Sequence, residues 1–445
     1  MPECNSDAWV ELDSLEAIHA AAKSQTVSTF NNIAVMNCHL DATAAAMVIT
    51  VFRKNKSCIK GLALENCSGC HLGAVLTAAF TCCTMLESLN ILMASTYRIN
   101  DFDPLAHSLS IGILTNPSIL MLRIGSSSSS NCTATFFTLT LDAARSLEQG
   151  LRGNSTLSSL HIVNCRFAER GALRIFATGL QCMESLRIVR FEGCYEPNGQ
   201  PLEDHSVAHL IRSLEQCSEL EHLDVSKNKC LDAGMIAVAS LLDRTPIRKL
   251  NVSSQQMDQN EFMNTFHLVG ALGRTSTLES LNLRGNNLSS DYDMANIAAA
   301  LTHNTSVKRI YLTDNNIRSS AMNIFSSRIP FMKVLEKLDI DGNYEFDDEA
   351  SRNLARGMKE NLVIRYIECE EGLPDIETIE YYADLNWVGR RYITQNNGEM
   401  IPFIPLALWP KILSRFGSYS QYHNYERQAN TIYFLLQRGS AMFPV

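Results

Sequence analysis

One motif recurs along most of the 445-residue chain, and it limits the folds open to this chain more than any other feature. The clearest copy, LESLNLRGNNL at 278–288, has leucine at positions 1, 4, 6 and 11 and asparagine at position 9. Copies begin at residues 30, 59, 86, 119, 157, 186, 220, 247, 278, 307 and 335, mostly 27 to 34 residues apart. The longest interval contains GSSSSSN, which we predict to be a surface loop. Such regular recurrence predicts a repeat protein.

Each copy of the motif is followed by a second kind of segment. The L-x-x-L-x-L half alternates apolar and polar residues, which predicts a short half-buried strand. The remainder, for example DAGMIAVASLLDR at 232–244, has apolar residues three and four apart and predicts a helix. One strand and one helix cannot bury their apolar faces alone. The units are therefore predicted to stack into a parallel sheet covered by helices.

A unit of this length with a full helix resembles the ribonuclease-inhibitor-like class of leucine-rich repeats. The resemblance implies an α/β solenoid, a horseshoe with parallel strands on its concave side and helices on its convex side. We predict an N-terminal cap at 1–26, with a short helix around Ser14 to Ala22, and about eleven repeats plus a degenerate last unit at 27–371. Residues 372–445 are predicted to be a C-terminal extension of three helices. This tail resembles those of uncharacterised leucine-rich-repeat proteins of unicellular algae such as diatoms.

The stretch LENCSGCHLG at 64–73 contains Cys67-Ser68-Gly69-Cys70-His71. In isolation, C-x-x-C-H attaches a c-type haem, and C-x-x-C is half of a zinc site. In the repeat frame, however, Cys67 stands at motif position 9, which the family resemblance places inward after the strand. The same position holds Cys38, Cys165, Cys194, Asn228, Asn286, Asn315 and Asn343. We therefore predict that Cys67 and Cys70 point into the core and that the chain has no cofactor and no metal site.

Composition narrows the classes of partner and compartment. The net charge of −9 disfavours nucleic acid as a partner. The sequence has no apolar run long enough to span a membrane and no signal peptide at its start, so we expect no membrane association. The 14 cysteines are then expected to be free thiols in a cytoplasmic protein. We expect the protein to be a monomer. The sequence contains none of the common motifs of nucleotide-binding or hydrolytic enzymes, so we expect no enzymatic activity.

The predicted function is non-catalytic recognition of a protein partner on the concave face of the repeats. In L-x-x-L-x-L, the residue between the second and third leucines is at motif position 5, and its side chain points outward. The residue at motif position 3, just before the second leucine, flanks it on the same face. Arginine and tyrosine are enriched at protein interfaces. The candidate contact residues are Arg123, His161, Arg190, His222, Asp224, Lys249, Arg309, Tyr311, Lys337 and Asp339.

Three alternatives remain open at this point. Ran-activating proteins share this repeat type, so the resemblance allows a GTPase-activating protein of that type. IPFIPLALWPKIL at 401–413 resembles the proline-leucine helices by which F-box adaptors attach to ubiquitin-ligase scaffolds, so a substrate adaptor acting through the C-terminal helices is a second alternative. A sensor of the immune type is less favoured, because no nucleotide-binding module precedes the repeats.

Overall fold

The structure, a computed structural model, describes residues 9–24, 30–93, 102–126, 137–255, 265–344, 346–370, 372–388 and 390. The chain divides into two units, residues 1–247 and 248–445. Most of the predicted GSSSSSN loop and the last two predicted helices of the C-terminal extension lie outside the described residues.

The first unit alternates strands and helices as the motif predicts. Its strands are β1 (Trp9–Leu12), β2 (Asn32–Met36), β3 (Gly61–Glu65), β4 (Ser88–Met93), β5 (Met121–Ser126), β6 (Phe137–Leu139), β7 (Ser159–Val163), β8 (Cys165–Phe167), β9 (Ile188–Glu192) and β10 (His222–Asp224). Its helices are α1 (Leu15–Lys23), α2 (Ala42–Lys54), α3 (Leu72–Cys82), α4 (Phe102–Thr115), α5 (Leu141–Arg152), α6 (Arg170–Leu180), α7 (Asp204–Arg212) and α8 (Asp232–Leu242). Strands β1, β2, β3, β4, β5, β7, β9 and β10 form one parallel sheet in that order.

Besides β1, two further strands of the first unit were not predicted. β6 and β8 pair in parallel as a separate two-stranded sheet, with Phe137 opposite Cys165 and Leu139 opposite Phe167. The first of these strands lies within the long interval from residue 119 to residue 157, so the extra chain there contributes a strand. Phe167 is buried, and its ring lies 6.1 Å from the ring of Phe176 on α6. The small sheet therefore covers part of the core beside the main sheet.

The second unit continues the same alternation with shorter strands. Its strands are β11 (Lys249–Asn251), β12 (Ser280–Asn282), β13 (Arg309–Tyr311), β14 (Lys337–Asp339) and β15 (Tyr366–Glu368), paired in parallel in that order. Its helices are α9 (Thr265–Leu272), α10 (Asp291–His303), α11 (Ser319–Ser326), α12 (Asp348–Glu360) and α13 (Ile376–Val388), with a 3-10 turn at Ile329–Phe331. Helix α13 coincides with the first helix predicted for the C-terminal extension.

The apolar positions of the motif form the core. In the clearest copy, Leu278, Leu281, Leu283 and Leu288 are each at most 1% exposed. Parallel strands need a crossover connection, and a helix supplies it in nearly every repeat. The predicted α/β leucine-rich-repeat solenoid is confirmed. The helix predicted around Ser14 to Ala22 is α1, and the Ser14 hydroxyl caps it by accepting the Ala17 N–H at 3.1 Å.

Motif position 9 satisfies backbone groups at the turn after each strand, as predicted. The Asn286 amide donates to the carbonyls of Val252 at 2.8 Å and Leu283 at 3.0 Å. Its oxygen accepts the N–H of Gln255 at 3.0 Å. The oxygen of Asn315 in turn accepts the N–H of Asn286 at 2.8 Å, so neighbouring repeats are joined by a ladder of amides. Buried backbone groups need such partners, because leaving one unpaired costs about 1–3 kcal/mol.

A second asparagine position, three residues before several of the strand motifs, was not predicted. The Asn304 amide donates to the Leu272 carbonyl at 2.7 Å, while its oxygen accepts the N–H groups of Ser306 and Val307 at 2.8 and 2.6 Å. Asn154 and Asn361 bond in the same way at the corresponding positions. This position therefore fixes the connection from one helix to the next strand.

Candidate protein-binding surface

The strand face of the first unit brings together five of the predicted contact residues. We use "strand face" for the side of each unit's sheet that carries these residues, opposite the buried apolar side chains. Arg123 lies opposite His161, His161 opposite Arg190, and Arg190 opposite Asp224 on neighbouring strands. These four side chains form one row because residues in register share a face. His222 lies half-buried one position to the side, opposite Ile188.

A neutral histidine lies between two arginines at the centre of this row. Burial, together with the positive charges of Arg190 and Arg123, lowers the pKa of His161 to about 4. The ring is therefore uncharged at neutral pH. His161 Nε2 lies 3.2 Å from the Ser159 hydroxyl. Arg123 Nε is buried and has no hydrogen-bond partner among the described residues, which leaves one guanidinium donor unused at the centre of the face.

Carboxylates follow the arginines on one side of the row. Arg190 contacts Glu192 at 3.4 Å and Asp224 at 3.3 Å. Asp224 also accepts the Ser226 hydroxyl at 2.6 Å, and Lys227 Nζ lies 2.8 Å from Glu192. Burial alone would raise the pKa of Glu192, but the Lys227 hydrogen bond and charge, together with Arg190 and Arg123, outweigh it and lower that pKa. The row thus runs from positive at Arg123 to an ion-paired network at Asp224.

A tryptophan on the same face was missed by the sequence analysis. Trp9 in β1 is 43% exposed, and its register with Asn32, and of Asn32 with Gly61, places it on the strand face. A Cβ at Gly61 would lie 3.0 Å from Trp9 Cη2 and 2.5 Å from Asn32 Oδ1. The missing side chain at Gly61 therefore makes room for the indole. The signal was present as the alternation of WVEL, which was assigned to the cap.

The strand face of the second unit is largely occupied by its own contacts. Lys337 Nζ lies 2.6 Å from Glu368 and 5.0 Å from the centre of the Tyr311 ring. Lys249 is exposed and Arg309 is half-buried. In register, Arg309 lies opposite Lys337.

Asp339 does not fit the expectation of an exposed contact residue. Its side chain is buried, at 7% exposure, and its carboxylate accepts the Thr313 hydroxyl at 2.7 Å. Burial raises the pKa of Asp339, and the neighbouring Glu368 carboxylate raises it further against the opposing Thr313 bond. The reason lies in the neighbouring strands, since Thr313 and Glu368 close over the position that the motif exposes. Asp339 therefore binds within the repeat stack.

The C-x-x-C-H stretch divides between core and surface. Cys67 is fully buried, and its thiol donates to the Val35 carbonyl at 3.2 Å, as predicted. The prediction for Cys70 was wrong, because its side chain is exposed. Gly69 turns the chain with φ at 115° close to the Leu40 carbonyl, and Leu72 supplies the buried apolar group instead. Within the described ranges, no group of three or more His, Cys, Asp or Glu side chains is arranged to hold a metal ion.

In the part of the chain that the structure describes, no helix is both long enough and apolar enough to cross a bilayer.

Comparisons with known proteins agree with the repeat architecture. The family model described as Leucine Rich repeat matches residues 276–291. Capping protein, Arp2/3 and myosin-I linker protein 3 from Homo sapiens is 26% identical over 217 residues, 47% of this chain. The Mus musculus protein is 28% identical over 219 residues. The match spans 14% of the length of these relatives.

Solved structures were also matched over parts of this chain. An internalin from Listeria monocytogenes aligns over 82% of this chain and 92% of its own, with a TM-score of 0.43 and 13% identity. Leiomodin-1 actin-binding site 2 aligns over 36% of this chain and 91% of its own, with a TM-score of 0.32 and 16% identity. The recurring motif, the observed strand-and-helix units and the family match together identify the chain as a leucine-rich-repeat protein.

Proposed function

We propose that the chain is a non-catalytic scaffold that recognises a protein partner through the strand face of its first unit. The observation that carries this proposal is the row of Arg123, His161 and Arg190 on three neighbouring strands. Arginine is enriched among the residues that dominate binding energy at interfaces, and desolvated guanidinium groups form strong bonds to carboxylates. We infer that a partner supplies carboxylates to the guanidinium groups of Arg123 and Arg190, which lie in register on either side of His161.

Rigidity supports the same proposal. Strands β5, β7 and β9 carry the row, and the apolar residues that alternate with it are buried. A preformed surface orders few groups on binding, so less of the interaction free energy is spent on lost conformational entropy. Trp9 adds an exposed aromatic group to the same face. Tryptophan, like arginine, is over-represented among residues that lose more than about 2 kcal/mol of binding free energy on truncation.

The relatives supply a first panel of candidate partners. The name of the human relative describes a linker of capping protein, Arp2/3 and myosin-I. Since the match covers a small part of that protein, each of these three is a candidate to be tested with this chain.

The proposal is tested with two double variants. Arg123→Ala with Arg190→Ala removes the guanidinium groups of the strand face, and Arg145→Ala with Arg152→Ala removes two from helix α5. The purified chain and both variants are compared for binding to capping protein, the Arp2/3 complex and myosin-I, and by affinity capture from cells with mass spectrometry. We expect the first pair to weaken a captured partner at least about tenfold and the second less than about twofold.

Equal recovery of every partner by the two double variants would contradict the proposal. Thermal melting of each variant checks that it folds. The Ran-type GTPase-activating and ubiquitin-ligase-adaptor alternatives remain hypotheses, as do the cytoplasmic localisation and the monomeric state predicted from the sequence. The ribonuclease-inhibitor-like subclass and the domain boundaries at 26 and 371 likewise stay predictions.

A further inference from the structure

A second surface of the first unit lies among its helices. A cleft of about 660 Å³ is lined by α6, α7 and the loop that precedes α7. It occurs where the repeat interval, from residue 186 to residue 220, is 34 residues. Buried Leu173 lies against the cleft on α6.

Local bonds fix the loop that closes one end of this cleft. The Glu196 N–H donates to the Gln200 carbonyl at 2.8 Å, and the Gly199 N–H donates to the Glu196 carbonyl at 2.9 Å. The buried Glu196 carboxylate accepts the Ser206 hydroxyl of α7 at 2.5 Å and the Glu203 N–H at 3.4 Å. Loop and helix are thus joined through one carboxylate.

Two stripes of side chains line opposite walls of the cleft. On α6 the lining residues Arg170, Arg174 and Thr178 are four positions apart and so share one helix face. On α7 the lining residues are His205, His209 and Arg212, at spacings of four and three. Both walls therefore present groups that donate hydrogen bonds.

The three cleft arginines differ from the two on helix α5. Arg145 and Arg152 of α5 each lie 2.9 Å from a carboxylate. By contrast, no carboxylate oxygen of the described residues lies within 4.0 Å of the guanidinium groups of Arg170, Arg174 and Arg212.

The environment of His209 reflects the same positive charge. Burial lowers the pKa of His209, and the charges of Arg174 and Arg212 lower it further. Of the two carboxylates that line the cleft, Glu196 is buried in its bonds to α7 and Glu203 is exposed. A cation-rich cleft in a chain of net charge −9 is suited to an anionic ligand.

We propose that this cleft binds an extended acidic segment of a protein partner, with side-chain carboxylates paired to Arg170, Arg174 and Arg212. The α6 stripe rises by eight helical steps from Arg170 to Thr178, or about 12 Å, which about four residues of an extended peptide would span. Arg170 and Arg174 are one helical turn apart along this length. That spacing favours several carboxylates over a single phosphate group. The site goes beyond the strand-face function, since it uses helices rather than the sheet.

The proposal is tested with the full chain and a fluorescein-labelled peptide of about eight residues that alternates Glu and Gly, against the same peptide with Gln for Glu. Fluorescence anisotropy measures the affinity at salt concentrations from about 50 to about 300 mM. We expect the Glu peptide to bind more tightly than the Gln peptide and to weaken with salt. Arg174→Glu with Arg212→Glu should lower its affinity at least about tenfold, while Arg145→Glu with Arg152→Glu on α5 should lower it less than about twofold.

Other outcomes would overturn the proposal. Equal binding of the Glu and Gln peptides would show no recognition of carboxylates, and equal losses in the two double variants would show attraction by charge in general. Competition by inorganic phosphate or a single-stranded RNA at lower concentration than the Glu peptide would assign the cleft to another ligand class. Arg174→Lys with Arg212→Lys keeps the charge but removes bidentate pairing, so it should lose part of the affinity without any loss of folding.

Discussion

Two groups of repeats solve the same backbone problem with different side chains. At motif position 9, four described repeats of the first unit have cysteine, whereas the last repeat of that unit has Asn228 and the second unit has Asn286, Asn315 and Asn343. An asparagine amide both donates and accepts, so it bridges carbonyl and N–H groups of the turn. A thiol is a weak donor with little capacity to accept. Backbone groups near the cysteines therefore bond directly to each other, as when Ser68 N–H donates to the Cys38 carbonyl at 3.0 Å.

Strand length follows the same division. The strands that precede cysteine, β2, β3, β7 and β9, have five residues, and those that precede asparagine, β10, β12, β13 and β14, have three. Direct backbone pairing lengthens the strands, and longer strands expose a broader row of side chains. The row of Arg123, His161 and Arg190 lies on such longer strands. Among the repeats compared, cysteine at motif position 9 therefore accompanies the broader strand face and asparagine the narrower one.

The largest expected effect separates the asparagine repeats from the cysteine repeats. Asn286→Leu removes two donated bonds and one accepted bond from buried backbone groups, so we expect the free energy of unfolding to fall by about 3 kcal/mol. Cys67→Ala removes a weak donor and a small apolar group and should cost about 1 kcal/mol. Urea unfolding of both variants measures the contrast. Equal losses of unfolding free energy in the two variants would show that asparagine and cysteine stabilise the turn to the same extent.

The cysteine stretch offers a contrast within three residues. Burial raises the pKa of Cys67 to about 12, so its reactive thiolate is scarce, whereas Cys70 is exposed. We expect iodoacetamide to modify Cys70 at least about a hundredfold faster than Cys67 in the folded chain at about pH 8. Mass spectrometry of the labelled peptides measures the two rates, and labelling in denaturant, where the rates should converge, is the control. Similar rates in the folded chain would contradict the assignment.

The half-buried ring of His161 makes the stability of the folded chain depend on pH. The pKa of about 4 in the folded chain lies below the value of about 6.5 in the unfolded chain. Only the unfolded chain therefore gains a proton at this residue between these values, so stability is lost as pH falls from about 6.5 to about 4. After a discount for solvent screening, the loss is roughly 1–2 kcal/mol.

His161→Gln should remove this part of the pH dependence of stability. His303→Gln, at an exposed position on α10 of the second unit, should leave the dependence unchanged. Unfolding in urea across this pH range measures both variants. If the free energy of unfolding depends on pH as steeply in His161→Gln as in the unchanged chain, the His161 ring is not held neutral by its two arginine neighbours.

The repeat, the strand-helix alternation and the role of position 9 could be predicted because each depends on short-range pattern. The register that aligns Arg123, His161 and Arg190 followed from the same frame. Cys70 could not be placed, because Gly69 redirects the chain through a turn that the spacing does not encode. Asp339 was misassigned because neighbouring strands cover it.

Other features depend on contacts that the motif does not contain. Trp9 joins the strand face through a strand that precedes the first motif. The asparagines three residues before several strand motifs lie outside the eleven-residue motif itself. The cleft between α6 and α7 depends on a loop and two helix faces, although the four-residue spacing of Arg170 and Arg174 was readable in the sequence.

The central claim, that the partner binds the strand face of the first unit, is tested most directly by matched charge reversals. Arg190→Glu reverses one charge in the row of Arg123, His161 and Arg190. Lys249→Glu reverses the charge at an exposed position on the strand face of the second unit. The dissociation constant of a captured partner is measured for both variants and for the unchanged chain by biolayer interferometry. The account predicts at least a roughly tenfold weakening for Arg190→Glu and less than about twofold for Lys249→Glu. Equal effects, or the larger loss with Lys249→Glu, would contradict it.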